Sequence, residues 1–150
     1  LAVLHGRDVL YVLEERAPGR PPLVTDVGVR LPAELTASGR AVLAHLPAAQ
    51  VRALYPSAAA FVDRNDAGPR TLSALRSLLT ETRTRGYALE AGEVTPGLSS
   101  VAVAVLDHNQ HPLAGVAVTY AEGDADPAAL ADQVRRTARL LTTRFGGALR

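Results

Sequence analysis

The sequence predicts an α+β domain built on an antiparallel sheet flanked by helices. Three observations lead there. Strand-like runs come in pairs joined by tight turns, at His5-Gly6-Arg7-Asp8 and again over Asp107–Pro112, a spacing that marks antiparallel hairpins. The helical runs are gathered between and after these hairpins and do not alternate with single strands, which argues against a doubly wound parallel sheet. From Leu98 to Asp107 a run of small and β-branched residues is apolar on both faces, as expected of a central strand covered on each side.

The elements follow in order. Leu1–His5 and Val9–Glu14 form the first two strands, and Ala17–Pro22, rich in Pro and Gly, is loop. Leu23–Leu31 holds one further short strand. Thr36 is a good N-cap for a helix reaching Leu46, with Gly39, Val42, Leu43 and Leu46 turned inward. Pro47 suits the first turn of a second helix through Leu54, and Ser57–Arg70 connects. Thr71 caps a third helix whose Leu72, Leu75, Leu79 and Thr82 recur at helical spacing, leaving Arg76, Glu81 and Arg83 to water. Gly86 stops that helix. Tyr87–Glu93 is a short strand, and Thr95-Pro96-Gly97 turns the chain into the central strand. Leu113–Tyr120 pairs with the central strand across the second hairpin. Asp124-Ala125-Asp126-Pro127 places acids where the dipole of the last helix favours them. Leu130, Val134, Ala138, Leu141 and Phe145 form that helix's apolar stripe, Arg135, Arg136 and Arg139 lie away from it, and Gly146-Gly147 ends it.

Composition narrows the function. A 150-residue chain with 47% hydrophobic residues fits one globular domain, residues 1–150. A formal net charge of +1 with dispersed arginines does not describe a nucleic-acid surface. The chain has no cysteine, which excludes disulfides, thiolate zinc sites and cysteine nucleophiles. No membrane span or signal peptide is written in it, so the expected location is cytoplasmic. It opens without Met and inside a strand pattern, so the expectation is a domain that follows another.

Polar groups gather at one place. Glu90, Glu93, Ser99 and Ser100 stand at the edge of a sheet otherwise made of small apolar residues, which suggests a ligand pocket or packing against a helix. Glu90 and Glu93, three apart in an extended segment, are expected on opposite faces, a poor geometry for a catalytic carboxylate pair. Thr36-Ala37-Ser38-Gly39 either holds an anion on free N–H groups at a helix start or is simply capped by Thr36. Gly39 weakens its helix, which implies close approach by a strand or ligand. His108-x-x-His111 reads as solvated turn residues, and His5 and His45 are isolated. With no nucleophile elbow, P-loop or dinucleotide fingerprint, the chain is not read as an enzyme, and neither cofactor nor metal is called for.

Three segments together carry a resemblance: G-x-R-L-P-x-x-L-T-A-S-G-R-A-V-L-A from Gly28, T-R-x-R-G-Y-A from Thr82, and G-L-S-S-V-A-V-A-V-x-D from Gly97. In order and spacing, over nearly all 150 residues, the chain resembles the C-terminal effector-binding domain of IclR-type bacterial transcription regulators. The resemblance implies a GAF-like fold, a curved antiparallel sheet with a small-molecule pocket, and a winged helix-turn-helix DNA-binding domain upstream that this chain does not contain. It implies an effector, often a small carboxylate or aromatic acid, held by Ala37, Ser38 and Gly39 at the helix start, Glu90, Ser100, and Ala117 and Thr119 on the facing strand. The residue reading adds Ser99. A homodimer or tetramer is implied, with DNA contacted only through the missing domain. Arg40 stands where the family usually has Lys, and Ala117 where some relatives carry a hydroxyl. These departures point away from a glyoxylate- or pyruvate-like effector toward a less polar one, and Glu90 beside a carboxylate requires a proton or a donor between them. The alternative is a structural dimerisation module whose pocket is filled by side chains.

Overall fold

The computed structural model describes residues 1–20 and 23–146 of the chain. Its strands are β1 (Ala2–His5), β2 (Asp8–Tyr11), β3 (Arg30–Pro32), β4 (Ala88–Ala91), β5 (Leu98–Leu106) and β6 (Pro112–Ala121). Its α-helices are α1 (Ala37–Leu43), α2 (Ala48–Leu54), α3 (Leu72–Arg85) and α4 (Pro127–Arg144). The strands form one curled antiparallel sheet in the order β3-β2-β1-β6-β5-β4. This is the expected architecture, with the three middle helices between the hairpins and the last after them.

Local chemistry sets most boundaries. Gly6, at φ 64°, closes the β1–β2 turn in a conformation that costs glycine little. The Thr36 hydroxyl accepts the Gly39 N–H at 3.0 Å and starts α1. Thr71 caps α3 through Ala74, and Gly86 ends it in the left-handed region. Some bounds differ from expectation. The second strand stops at Tyr11, because Val12 and Leu13 donate back to the Leu1 carbonyl. α1 ends at Leu43 and the chain continues to Leu46 as a tight turn. A 3-10 turn, Ala58–Ala60, lies within the expected connection. The Pro21-Pro22 end of the first loop and Gly147 lie outside the described residues.

The two faces of the sheet are covered by different helices. Ala102 and Ala104 of β5 pack with Ala37 and Ala41 of α1, while Val105 and Ala114 pack with Ala138 of α4. α1 is buried along its whole length, because its outer side carries Leu43 into a second cluster with Val51, Tyr55, Leu75 and Leu79. Each such buried aliphatic side chain contributes roughly 1.5–3 kcal/mol. Within that layer Glu34 is buried, accepting from the Tyr55 hydroxyl at 3.0 Å and the Val62 N–H at 3.0 Å. On α4 the buried stripe is Ala131, Val134, Ala138 and Thr142. Phe145, expected there, is 60% exposed, because the helix has already ended at Arg144.

Small residues set how closely α1 meets the sheet. A Cβ on Gly115 of β6 would lie 2.7 Å from the Ser38 carbonyl oxygen and 2.9 Å from its Cα. A Cβ on Gly39 would strike the Ala33 backbone. The close approach expected at Gly39 is thus made by the 3-10 turn Ala33–Leu35 preceding its own helix, not by a strand or a ligand.

Candidate functional site

The start of α1 faces the end of β4 and the middle of the β5–β6 pair, and a pocket lies between them. Glu90 pairs with Ser100, and Ser100 with Thr119, across adjacent strands. Side chains two apart share a face, so Ser100, Ala117 and Thr119 all meet α1. The Ser100 and Thr119 hydroxyls lie 2.8 Å apart. With Ala37 and Ser38 from α1, these residues line a cavity of ≈ 30 Å³, about two waters' worth of space. Leu23, Val24 and Thr25 also line it, as does Tyr11 from the end of β2.

Glu90 supplies the carboxyl. It is 3% exposed, and burial pushes its pKa above the usual range, with neighbouring Glu93 adding to the rise. The Val94 N–H, donated to Oε1 at 3.0 Å, and the Arg40 guanidinium oppose that rise. Burial first and the Glu90 charge second push the Tyr11 hydroxyl up to about 12. Tyr11 therefore stays a neutral donor, as do the Ser38, Ser100 and Thr119 hydroxyls. Among the described residues no basic side chain lines the pocket.

Six of the eight residues expected at an effector site line this pocket: Ala37, Ser38, Glu90, Ser100, Ala117 and Thr119. Gly39 does not, because its N–H is taken by Thr36 and its Cα faces Ala33. That decides between anion site and simple capping at this N–H in favour of capping. Ser99 does not either. One residue from Ser100, it turns to the opposite face of the sheet and is buried there. The opposite-face expectation for Glu90 and Glu93 also fails. β4 ends at Ala91, Gly92 turns at φ 77°, and Glu93 folds back so that its Oε2 accepts the Ala91 N–H at 2.6 Å. Its Oε1 accepts from Arg40 at 2.9 Å.

Arg40 is 2% exposed and spends its donors on structure: Nε to the Glu34 carbonyl at 2.8 Å, one terminal nitrogen to the Leu89 carbonyl at 2.8 Å, the other to Glu93. Tyr11 and Leu23–Thr25 were not foreseen, since nothing in their local pattern points to a site far along the chain. His108 and His111 lie exposed in the β5–β6 turn, where Asp107 accepts the Asn109 and His111 N–H groups at 2.8 and 2.9 Å. These bonds, that from His111 foremost, hold the Asp107 carboxyl below its usual range.

Comparison with known proteins gives this geometry a family. The family described as "Bacterial transcriptional regulator IclR C-terminal" matches residues 1–143. The chain belongs to it. The glycerol operon regulatory protein of Streptomyces coelicolor is 32% identical over 152 residues, which cover 97% of this chain and 58% of that protein. The repressor BlcR of Agrobacterium tumefaciens superposes with a TM-score of 0.87 at 28% identity, over 99% of this chain and 59% of that one. The inducer-binding domain of PobR from Acinetobacter, solved as a double mutant with 3-hydroxybenzoic acid, shares the fold, with a TM-score of 0.79 at 23% identity over 94% of this chain and 85% of that one. The chain spans about half the length of the full-length relatives it matches. Its relatives are transcription regulators, and this IclR-type domain is not an enzyme.

Proposed function

We propose that this IclR-type domain senses a small organic acid or a related metabolite in the α1–β4–β5–β6 pocket and carries part of the regulator's oligomer contact. Occupancy modulates DNA binding by a winged helix-turn-helix domain upstream. The observation that carries this reading is the meeting of Glu90, Ser38, Tyr11 and the Ser100–Thr119 hydroxyl pair over small residues from three distant segments. A packing surface has no need of so many hydroxyls around a buried carboxyl. Because no cation among the described residues lines the pocket, a carboxylate effector is held by hydroxyl donors and binds best when Glu90 carries its proton. Hydroxylated or aromatic acids suit this better than small, densely charged ones. The working assembly is a homodimer or tetramer in the cytoplasm. Ligand acts by favouring one oligomer geometry over another, since equal affinity for both shifts nothing. No described helix is long and apolar enough to cross a membrane.

The small cavity, ≈ 30 Å³, favours a second reading, a dimerisation module with a filled pocket. On the sensing reading, Leu23–Thr25 of the lining move aside when ligand enters. A thermal-shift screen against aliphatic, aromatic and sugar-derived acids, 3-hydroxybenzoic acid first, separates the two. Sensing predicts a rise in melting temperature of several degrees, abolished by Ser100→Phe in a chain that still melts cooperatively. No shift with any acid, or one that Ser100→Phe leaves unchanged, rejects the pocket as the acid site.

A further inference from the structure

A second void, ≈ 300 Å³ and larger than the first, lies about one turn further along α1. It exists because β4 is short. Ala88 pairs with Ala102 at the start of β4, so among the described residues Val103–Leu106 of β5 have no strand beside them on that side. The Leu106 N–H turns instead to the Thr142 hydroxyl of α4 at 3.1 Å. Ala41, Ala88, Ala102 and Ala104 make a floor too small to fill the notch.

The charged groups of the rim are arginines. Arg83 lies in the last turn of α3, Arg135 and Arg139 come from α4, and His45 follows α1; among the described residues no acidic side chain lines the cavity. Asp132 neutralises part of Arg135, whose other terminal nitrogen donates to the Gly86 carbonyl at 3.4 Å. Arg83 is tied to the Ala44 carbonyl at 3.2 Å and the Thr80 hydroxyl at 2.9 Å. The Arg139 guanidinium has no hydrogen bond or ion pair among the described residues. A concave apolar floor under a cationic rim focuses positive potential into the notch, and its volume is in the range of small-molecule sites.

We propose that this notch is a second ligand site, distinct from the Glu90 pocket, for an organic anion with an apolar body: the alanine floor takes the body and Arg139 the charge. Its chemistry is the reverse of the first pocket, which has a carboxyl and, among the described residues, no cation.

The test is an amide NMR titration of the chain with 1-anilinonaphthalene-8-sulfonate, with neutral N-phenyl-1-naphthylamine as control. Saturable shifts centred on Ala102–Leu106 and Thr142 are expected with the sulfonate, and much weaker ones with the amine. Arg139 is exposed, so Arg139→Glu preserves the fold and should weaken sulfonate binding at least about tenfold. Absent shifts, shifts confined to Ser38, Ser100 and Thr119, or an affinity unchanged in Arg139→Glu overturn the proposal. Because the readout separates the two voids, failure here leaves the effector pocket standing, and failure of the acid screen leaves this site standing.

Discussion

Gly115 of β6 lies directly against Ser38 of α1, so close that a Cβ would sit 2.7 Å from the Ser38 carbonyl oxygen. This contact seats the start of α1 on the sheet and fixes the depth of the pocket beside it. Neither partner can give by rotating a side chain, because the atoms that would collide are backbone. Gly115→Ala is therefore expected to destabilise the fold by about 2 kcal/mol, as overpacking does. Urea denaturation measures this; a loss under about 0.5 kcal/mol, the ordinary surface range, would mean that α1 lifts at little cost.

Arg40 joins three segments by a planar fork: the Glu34 carbonyl, the Leu89 carbonyl and Glu93. Lys carries the same charge on a single point and cannot span all three. Arg40→Lys should cost about 2 kcal/mol, chiefly through carbonyls left without donors. Equal unfolding midpoints for the two chains would show that water replaces the fork.

Glu90 sets a pH dependence. Its carboxyl is raised above its ordinary value of 4.5 by burial first, with Glu93 adding and the Val94 N–H and Arg40 opposing. The folded chain therefore holds this proton at pH values where the unfolded chain has lost it. The resulting stability is fully present below the unfolded value and is lost as pH rises through the folded one. Stability of the wild type minus that of Glu90→Gln should fall from about pH 4 upward and then level off. Urea midpoints of both chains across that range measure it; a difference that rises with pH reverses the sign and removes the argument. A carboxylate effector should accordingly bind more tightly on the acid side of the Glu90 transition.

The hydroxyl of Thr142 is what the unpaired end of the β5 edge uses in place of a strand, accepting the Leu106 N–H at 3.1 Å. Thr142→Val keeps the shape and removes the acceptor. It should destabilise by about 1–2 kcal/mol, the cost of a part-buried donor left unmade, and speed amide exchange at Leu106. An unchanged exchange rate would show that this hydrogen bond does not protect the edge.

The sequence by itself determined the elements and their order, because turn glycines, caps and hydrophobic period act within a few residues. Thr36, Thr71 and Gly86 set helix ends as their chemistry predicts. Ser100, Thr119 and Glu90 were legible as a group because the β5–β6 hairpin is local and its neighbour β4 adjacent. Ser99 was misplaced because the reading by residue type set aside the two-residue alternation that separates it from Ser100. Gly39 was read as facing a partner across the fold when it faces the turn beside it. Tertiary structure alone decided that Tyr11 and Leu23–Thr25 reach the pocket, since β2 arrives there through β1, whose registered pairing with β6 is the single pair Ala2 and Gly115. It also decided that Arg40 is a buried tie and that an unforeseen second void lies beside β5. Such features depend on which distant segments meet and how closely. That is set by the volumes of side chains packed together, which no local pattern records.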